Sequence, residues 1–100
     1  MSMLSSKLRD IEGGRLLFWC PGCKDPHMVN TRRGERPCWT WNGDAERPTL
    51  SPSVLTYHPD GQPPRCHLFL REGRIQFLGD CTHELAGQTV DLPDLPEAWR

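Results

Sequence analysis

Short apolar runs separated by turn residues dominate this chain, and this pattern predicts a mainly β protein with little helix. The predicted strands are residues 16–19, 28–31, 38–41, 66–71, 74–78 and 88–92. Asn42-Gly43 is a strong two-residue hairpin signal, so the chain is expected to turn back after 38–41. Residues 48–56 contain Pro48 and Pro52, which cannot donate ladder hydrogen bonds. We therefore predict an edge strand or an extended segment there.

The hairpin around Glu72-Gly73 has the clearest register. Pairing Arg71 with Arg74 places apolar side chains of both strands on one core-facing side. Those side chains are Cys66, Leu68, Leu70, Ile75 and Phe77. His67 is expected on the opposite face, because neighbouring strand residues point to opposite sides of a sheet.

Helix is predicted only weakly. Residues 1–15 carry apolar residues at helical spacing but end at Gly13-Gly14, which favours a loose or weakly helical lead-in. Residues 82–87 are expected to form one helical turn. The domain organisation is predicted as a lead-in at 1–15, a β domain at 16–92 and a tail at 93–100.

The composition is that of an ordinary small domain. The 100 residues are 36% hydrophobic and 25% charged with a net charge of −1, which gives no bulk electrostatic attraction to nucleic acid. No apolar run approaches the ~20 residues of a membrane helix, and no secretory signal is evident, so a cytoplasmic protein is expected. Ten prolines and nine glycines limit helix, and so small a core gains from a staple.

The sequence Cys20-Pro21-Gly22-Cys23 supplies that staple. Two cysteines separated by a tight turn point both thiolates at one tetrahedral metal ion. Five cysteines, an odd number, favour a metal over disulfides in a protein without a secretion signal. A redox role would need a helix starting at Cys20, and Lys24-Asp25-Pro26 disfavours one. We predict a structural zinc in a zinc-ribbon-like domain built from short antiparallel hairpins.

The remaining zinc ligands are less strongly specified. Cys66 is the expected third ligand because its register faces the core, and His83 is the preferred fourth. His67 and His27 are the alternatives, in that order. The other three Cys or His residues are given structural or surface roles. They are Cys81, ambiguous between ligand and buried thiol, Cys38, expected to be buried, and His58, expected on the surface.

A second, polar group of residues also carries chemistry. Its members are Asn42, Asp44, Thr49, Ser51, Ser53, His67, Asp80 and His83. A histidine beside a carboxylate and hydroxyls can perform acid–base work or orient a metal-bound water. Because no recognised catalytic spacing is present, turn capping and strand-end hydrogen bonding is the preferred interpretation, and no catalytic residue is assigned.

Taken together, these motifs resemble a family of short phage- and prophage-encoded zinc-binding domains without an assigned function, which sometimes carry the label ammonia monooxygenase. The matching segments are Cys20–Cys23 with His27, Trp41-Asn42-Gly43, residues 48–53, Cys66-His67, residues 73–78, Asp80, His83 and Leu85-Ala86-Gly87. The resemblance implies a phage or prophage source and a metal site formed by Cys20, Cys23 and the region from Cys66-His67 to His83. Ammonia monooxygenases are membrane copper complexes, so that label conflicts with a chain that has no membrane span and has a Cys-x-x-Cys turn suited to zinc.

Three functions are weighed on this basis. The leading hypothesis is a non-enzymatic phage accessory protein that binds an unknown host or phage protein and modulates host defence or regulation. The alternative is a metal-dependent hydrolase or nuclease with His67, His83 and Asp80 around an open zinc position. The third, less favoured, is nucleic-acid binding by arginines 32, 33 and 36 with nearby tryptophans.

Overall fold

The computed structural model describes residues 2–100, which form two four-stranded antiparallel sheets and a two-stranded ribbon. The strands are β1 Ser2–Met3, β2 Arg9–Asp10, β3 Arg15–Cys20, β4 Asp25–Asn30, β5 Thr40–Trp41, β6 Leu50–Ser51, β7 Val54–Tyr57, β8 Arg65–Arg71, β9 Arg74–Phe77 and β10 Thr89–Asp91. The first sheet has the order β1-β2-β3-β4, the second β10-β9-β8-β7, and β5 pairs with β6. The predicted mainly β fold is confirmed. The only helix within residues 2–100 is a 3-10 turn at Glu97–Trp99, far too short to cross a membrane.

The hairpin of β8 and β9 has the predicted register. Arg71 pairs with Arg74, and Leu68 pairs with Phe77. The side chains expected to face the core are buried, and His67 lies on the other face. This alternation fixes which side of β8 faces the first sheet, and it separates Cys66 from His67.

One hydrophobic core joins the two sheets. Phe18 of β3 and Leu68 of β8 are both completely buried within the same cluster. Leu8 and Leu95, near the two ends of the chain, are also fully buried. The domain boundaries at residues 16 and 92 stay a prediction, although apolar residues outside them are as buried as the core.

The prediction for residues 1–15 is wrong as far as helix is concerned, and its Met1 lies outside the described residues. β1 and β2 extend the first sheet, with β2 paired to β3. Leu8 is buried against the sheets, so tertiary packing overrides the helical spacing of the apolar residues. The helical turn expected at 82–87 is also wrong, because this segment consists of turns and bends.

The segment with two prolines is divided into two pieces of strand. Residues 50–51 form β6, which pairs with β5, and residues 54–57 form β7, which pairs with β8. β7 is the outermost strand of the second sheet, as predicted for a segment rich in proline. Between β6 and β7 lie Pro52 and Ser53, where the chain passes from one pairing partner to the other.

Candidate functional site

The structure brings four predicted metal ligands together at one end of the core. Cys20 ends β3, Cys23 lies in the following turn, Cys66 is near the start of β8, and His83 lies in the turns after β9. The ligand atoms of these four residues all lie within 4.8 Å of one another. The turn places the Cys23 N–H 3.3 Å from the Cys20 sulfur, as in knuckles whose amides support a thiolate.

The spacing of the donor atoms fits a tetrahedral ion. Four ligands at usual zinc distances place two sulfurs about 3.8 Å apart, and a sulfur and a nitrogen about 3.5 Å apart. The Cys20 and Cys66 sulfurs are 3.9 Å apart, and the Cys66 sulfur is 3.4 Å from His83 Nε2. These two separations match a tetrahedral site, and the four residues could together hold a metal ion.

The electrostatics of the cluster also favour a cation. The hydrogen bond with Cys66 lowers the pKa of Cys20 to about 4, and the same bond raises the pKa of Cys66. Burial is the main cause that raises the pKa of Cys23 to about 12. Cys20 is therefore the thiol of the three that ionises most readily, with its thiolate stabilised by the hydrogen bond with Cys66. A dication would favour ionisation of all three.

The His83 ring is held by its surroundings. It packs edge-on against Phe77, with ring centroids 4.6 Å apart. On its other side it lies against Gly22, where any Cβ would collide with the imidazole. Gly22 therefore allows the knuckle and the histidine to approach closely.

The other candidate ligands lie outside this group of four. His67 is on the opposite face of β8. His27 is buried near Cys20 and helps to lower the pKa of that thiol. Cys81 is buried, whereas Cys38 is exposed, so the prediction of a buried Cys38 is wrong. His58 is exposed, as expected.

A second arrangement lies on the outer face of the second sheet. Ser53 precedes β7, His67 lies on β8, and Asp80 follows β9. Ser53 Oγ is 3.1 Å from His67 Nε2, and His67 Nδ1 is 3.2 Å from Asp80 Oδ2. A hydroxyl, an imidazole and a carboxylate thus form one continuous hydrogen-bonded chain.

The partners of His67 define its protonation pattern. An ionised carboxylate only accepts hydrogen bonds, so Nδ1 carries the proton toward Asp80 and Nε2 accepts from the Ser53 hydroxyl. The Arg65 guanidinium, with Nε 2.9 Å from the same Asp80 oxygen, is the main cause that lowers the pKa of this carboxyl. Asp80 is therefore ionised at neutral pH and keeps the imidazole in the tautomer that can take a proton from serine.

Cys81 forms hydrogen bonds with the backbone of the same histidine. Its sulfur accepts a hydrogen bond from the His67 N–H and donates one to the His67 carbonyl, both at 3.2 Å. The neighbouring residue on β8 is Cys66, which belongs to the four-residue cluster. The two arrangements therefore share one strand, with the thiols and His83 on its inner side and the hydrogen-bonded chain on its outer side.

The structure corrects one interpretation of the polar group. His67 and Asp80 do not join His83 in one cluster within the described chain, which contradicts the open metal site proposed for a hydrolase. Asn42 and Asp44 cap the turn between β5 and β6. Only Ser53, His67 and Asp80 of that group align as a catalytic triad would, a role that the sequence analysis did not assign.

Comparison with known proteins adds one finding. The family model described as "Bacterial ubiquitination-like system serine protease (BubE)" matches residues 3–78 of the 100. The matched range includes Cys20, Cys23, Cys66, Ser53 and His67, and it ends shortly before Asp80 and His83. No curated protein and no solved structure matches the chain.

Proposed function

The chain belongs to the BubE family, and we propose that it is a serine protease whose nucleophile is Ser53. The single observation that carries the proposal is the hydrogen-bonded chain from Ser53 through His67 to Asp80. Nucleophile, base and orienting acid are in the order that acyl transfer requires. The family description names a serine protease, and this geometry supports the same reaction class.

The proposed reaction begins when Ser53 Oγ attacks a peptide carbonyl. His67 Nε2 takes the hydroxyl proton and then delivers it to the leaving nitrogen, so that the C–N bond breaks and an acyl-serine ester forms. A water molecule then attacks the ester and gives its proton to His67, which returns it to Ser53. Asp80 stays ionised throughout and stabilises the imidazolium. Arg65 assists by keeping the Asp80 carboxylate charged and in place.

We propose a structural role for the metal ion and assign it as zinc. Cys20, Cys23, Cys66 and His83 would hold it, and three thiolates with one imidazole are a set typical of closed zinc sites. Bound zinc supplies a cross-link that ties β3 to the start of β8. Because His67 follows Cys66 directly, the same cross-link fixes the strand that carries the catalytic base. The cytoplasmic location stays a prediction from the sequence; in a cytoplasm, exposed Cys38 and half-buried Cys23 would stay reduced.

The family description supports a protein of a bacterial ubiquitination-like system as the substrate. The phage accessory role, its host or phage partner and the phage source remain predictions from the sequence. A pure binding module would not need the alignment of Ser53, His67 and Asp80. The protease is therefore the function that the geometry supports best.

The test is cleavage of a peptide library prepared from a bacterial proteome, with new termini identified by mass spectrometry. The zinc-loaded protein is compared with Ser53→Ala and with Ser51→Ala, which removes a hydroxyl two residues away. We expect cleavage by the native protein and by Ser51→Ala, and its loss in Ser53→Ala. Cleavage that persists in Ser53→Ala, or no cleavage by any form, would contradict the proposal and favour the binding module.

A further inference from the structure

We propose that the substrate binds as an extended peptide strand along the open edge of β7, with its scissile bond at Ser53; this inference rests on the proposed protease function. β7 is the outermost strand of the second sheet, and β8 is its only partner within residues 2–100. The nucleophile directly precedes this strand. A peptide that pairs with β7 would therefore be delivered to the reacting hydroxyl by the sheet itself.

Within the described residues the position beside β7 is vacant, whereas its continuation beside β6 is filled. β5 pairs with β6, with Thr40 opposite Ser51 and Trp41 opposite Leu50. The indole of Trp39 donates from Nε1 to the Ser53 carbonyl at 3.2 Å. The edge that is covered by β5 and the residues preceding it therefore ends at Ser53. A substrate strand beside β7 would thus lie in line with β5 and meet it at Ser53.

The direction of the backbone groups follows from the hydrogen bonds of β8. The His67 carbonyl accepts from Leu78 N–H, and the Arg65 carbonyl accepts from Thr82 N–H, so these two residues point away from β7. Their neighbours, including Cys66, point toward β7 and bond there with the directly opposite residues, such as Thr56. By alternation, the N–H and C=O groups of Leu55 and Tyr57 face the open edge.

The bond made by Ser53 agrees with this alternation, since its carbonyl is directed to Trp39 on the side away from β8. No residue in the described part of the chain forms a hydrogen bond with the outward backbone groups of Leu55 or Tyr57. An unpaired strand edge of this kind is a template for another strand. Its backbone groups could bond a peptide without regard to side-chain identity.

Side chains add a preference on the catalytic face. Leu55 lies directly opposite His67 and so shares its face. Leu55 and Tyr57 are 39% and 59% exposed, which is high for large apolar and aromatic side chains. Alternate residues of a docked strand would contact them. The inferred substrate is therefore an extended segment, free of proline at the pairing positions, with apolar side chains at alternate positions next to the scissile bond.

The experiment removes one outward N–H while retaining the ladder to β8. Leu55→Pro deletes that donor, and Leu55→Ala is the matched control that shortens the side chain but keeps the N–H. Each variant is assayed for cleavage of the bacterial peptide library and for covalent labelling of Ser53 by a small fluorophosphonate, which needs the triad but no strand pairing. Sedimentation reports the oligomeric state.

We expect Leu55→Pro to be labelled at the native rate and to cleave peptides roughly five- to tenfold more slowly than Leu55→Ala, as the loss of one main-chain hydrogen bond implies. Equal cleavage by both variants would overturn strand docking. If labelling of Leu55→Pro falls, Tyr57→Pro judged against Tyr57→Ala decides by the same comparison. A native dimer that Leu55→Pro dissociates would show that a second copy occupies the edge, which overturns the inference. Failure of native protein to be labelled would instead refute the protease itself.

Discussion

Gly22→Ala is a sharp perturbation of the metal centre, because it acts on His83 through space alone. The Cβ that alanine adds would lie 2.6 Å from His83 Nδ1, and an ordinary contact is about 3.4 Å. Two other ring atoms, Cε1 and Nε2, would lie closer still, so the ring or the knuckle must retreat by at least about 0.8 Å. Metal–ligand bonds tolerate deviations of only about 0.2 Å, so the His83 nitrogen and the knuckle sulfurs can no longer share one tetrahedral ion without strain.

The size of the effect follows from the cost of overpacking. Forcing one extra methyl group into a closed site costs about 1–3 kcal/mol. If this cost falls on the metal-bound state, zinc affinity decreases about 5- to 150-fold. The assay is competition for zinc with a chromophoric chelator under reducing conditions. Gly79→Ala is the matched control, since a Cβ at Gly79 would meet no atom within 4 Å.

The two variants should differ clearly in this assay. We expect native zinc affinity in Gly79→Ala and the stated decrease in Gly22→Ala, accompanied by slower labelling of Ser53 because β8 is no longer fixed. Equal affinity in both alanine variants would refute the assignment of His83 as the fourth ligand. A decrease in affinity with unchanged labelling would refute the proposed support of His67 by the metal.

Three further predictions concern the triad and its supports. Asp80→Asn should lower kcat/KM by roughly 10²- to 10⁴-fold through loss of the His67 tautomer. The control Asp91→Asn, which removes a comparable exposed partner of an arginine, should leave kcat/KM unchanged. Equal effects of the two variants in an activity assay would contradict this role of Asp80. Arg65→Gln should raise the pKa of Asp80 toward its ordinary value of 3.8, as measured by NMR titration of the carboxyl carbon. The lowered pKa of Asp80 stabilises the folded native protein at pH values above that ordinary value. This stabilisation is lost as the pH falls through the lowered pKa, and it should be smaller in Arg65→Gln. Cys81→Ala should destabilise the fold by about 1–2 kcal/mol in urea unfolding by removing both hydrogen bonds to the His67 backbone, and Cys81→Ser, which can retain them, should cost less.

Local sequence predicted the parts of the fold that depend on local spacing. The two-residue turn at Glu72-Gly73 determines the register of β8 and β9, and that register already placed Cys66 inward and His67 outward. The knuckle required only the Cys-x-x-Cys spacing. The grouping of Cys20, Cys23, Cys66 and His83 was expected for the same reasons, although their role as metal ligands stays a prediction.

Long-range pairing was not accessible from the sequence. Helical spacing in residues 1–15 gave no sign that β2 pairs with β3 and that Leu8 enters the core. The triad depends on the pairing of β7 with β8, which brings Ser53 to His67 across an irregular segment with Pro52. Serine, histidine and aspartate at this spacing form no known motif, so turn capping was preferred. The sequence feature that could have indicated the triad was the outward position of His67 beside a segment rich in hydroxyls.

The central claim is that Ser53 is a nucleophile activated by His67, and its most direct measurement is the site and rate of fluorophosphonate labelling. Intact mass and peptide mapping would be compared for the native protein, His67→Gln and Ser53→Ala, each with its zinc content verified. The account predicts one phosphonyl group, located on Ser53, strongly slowed labelling in His67→Gln and none in Ser53→Ala. Labelling that is absent from the native protein, or equal in all three proteins, would contradict it.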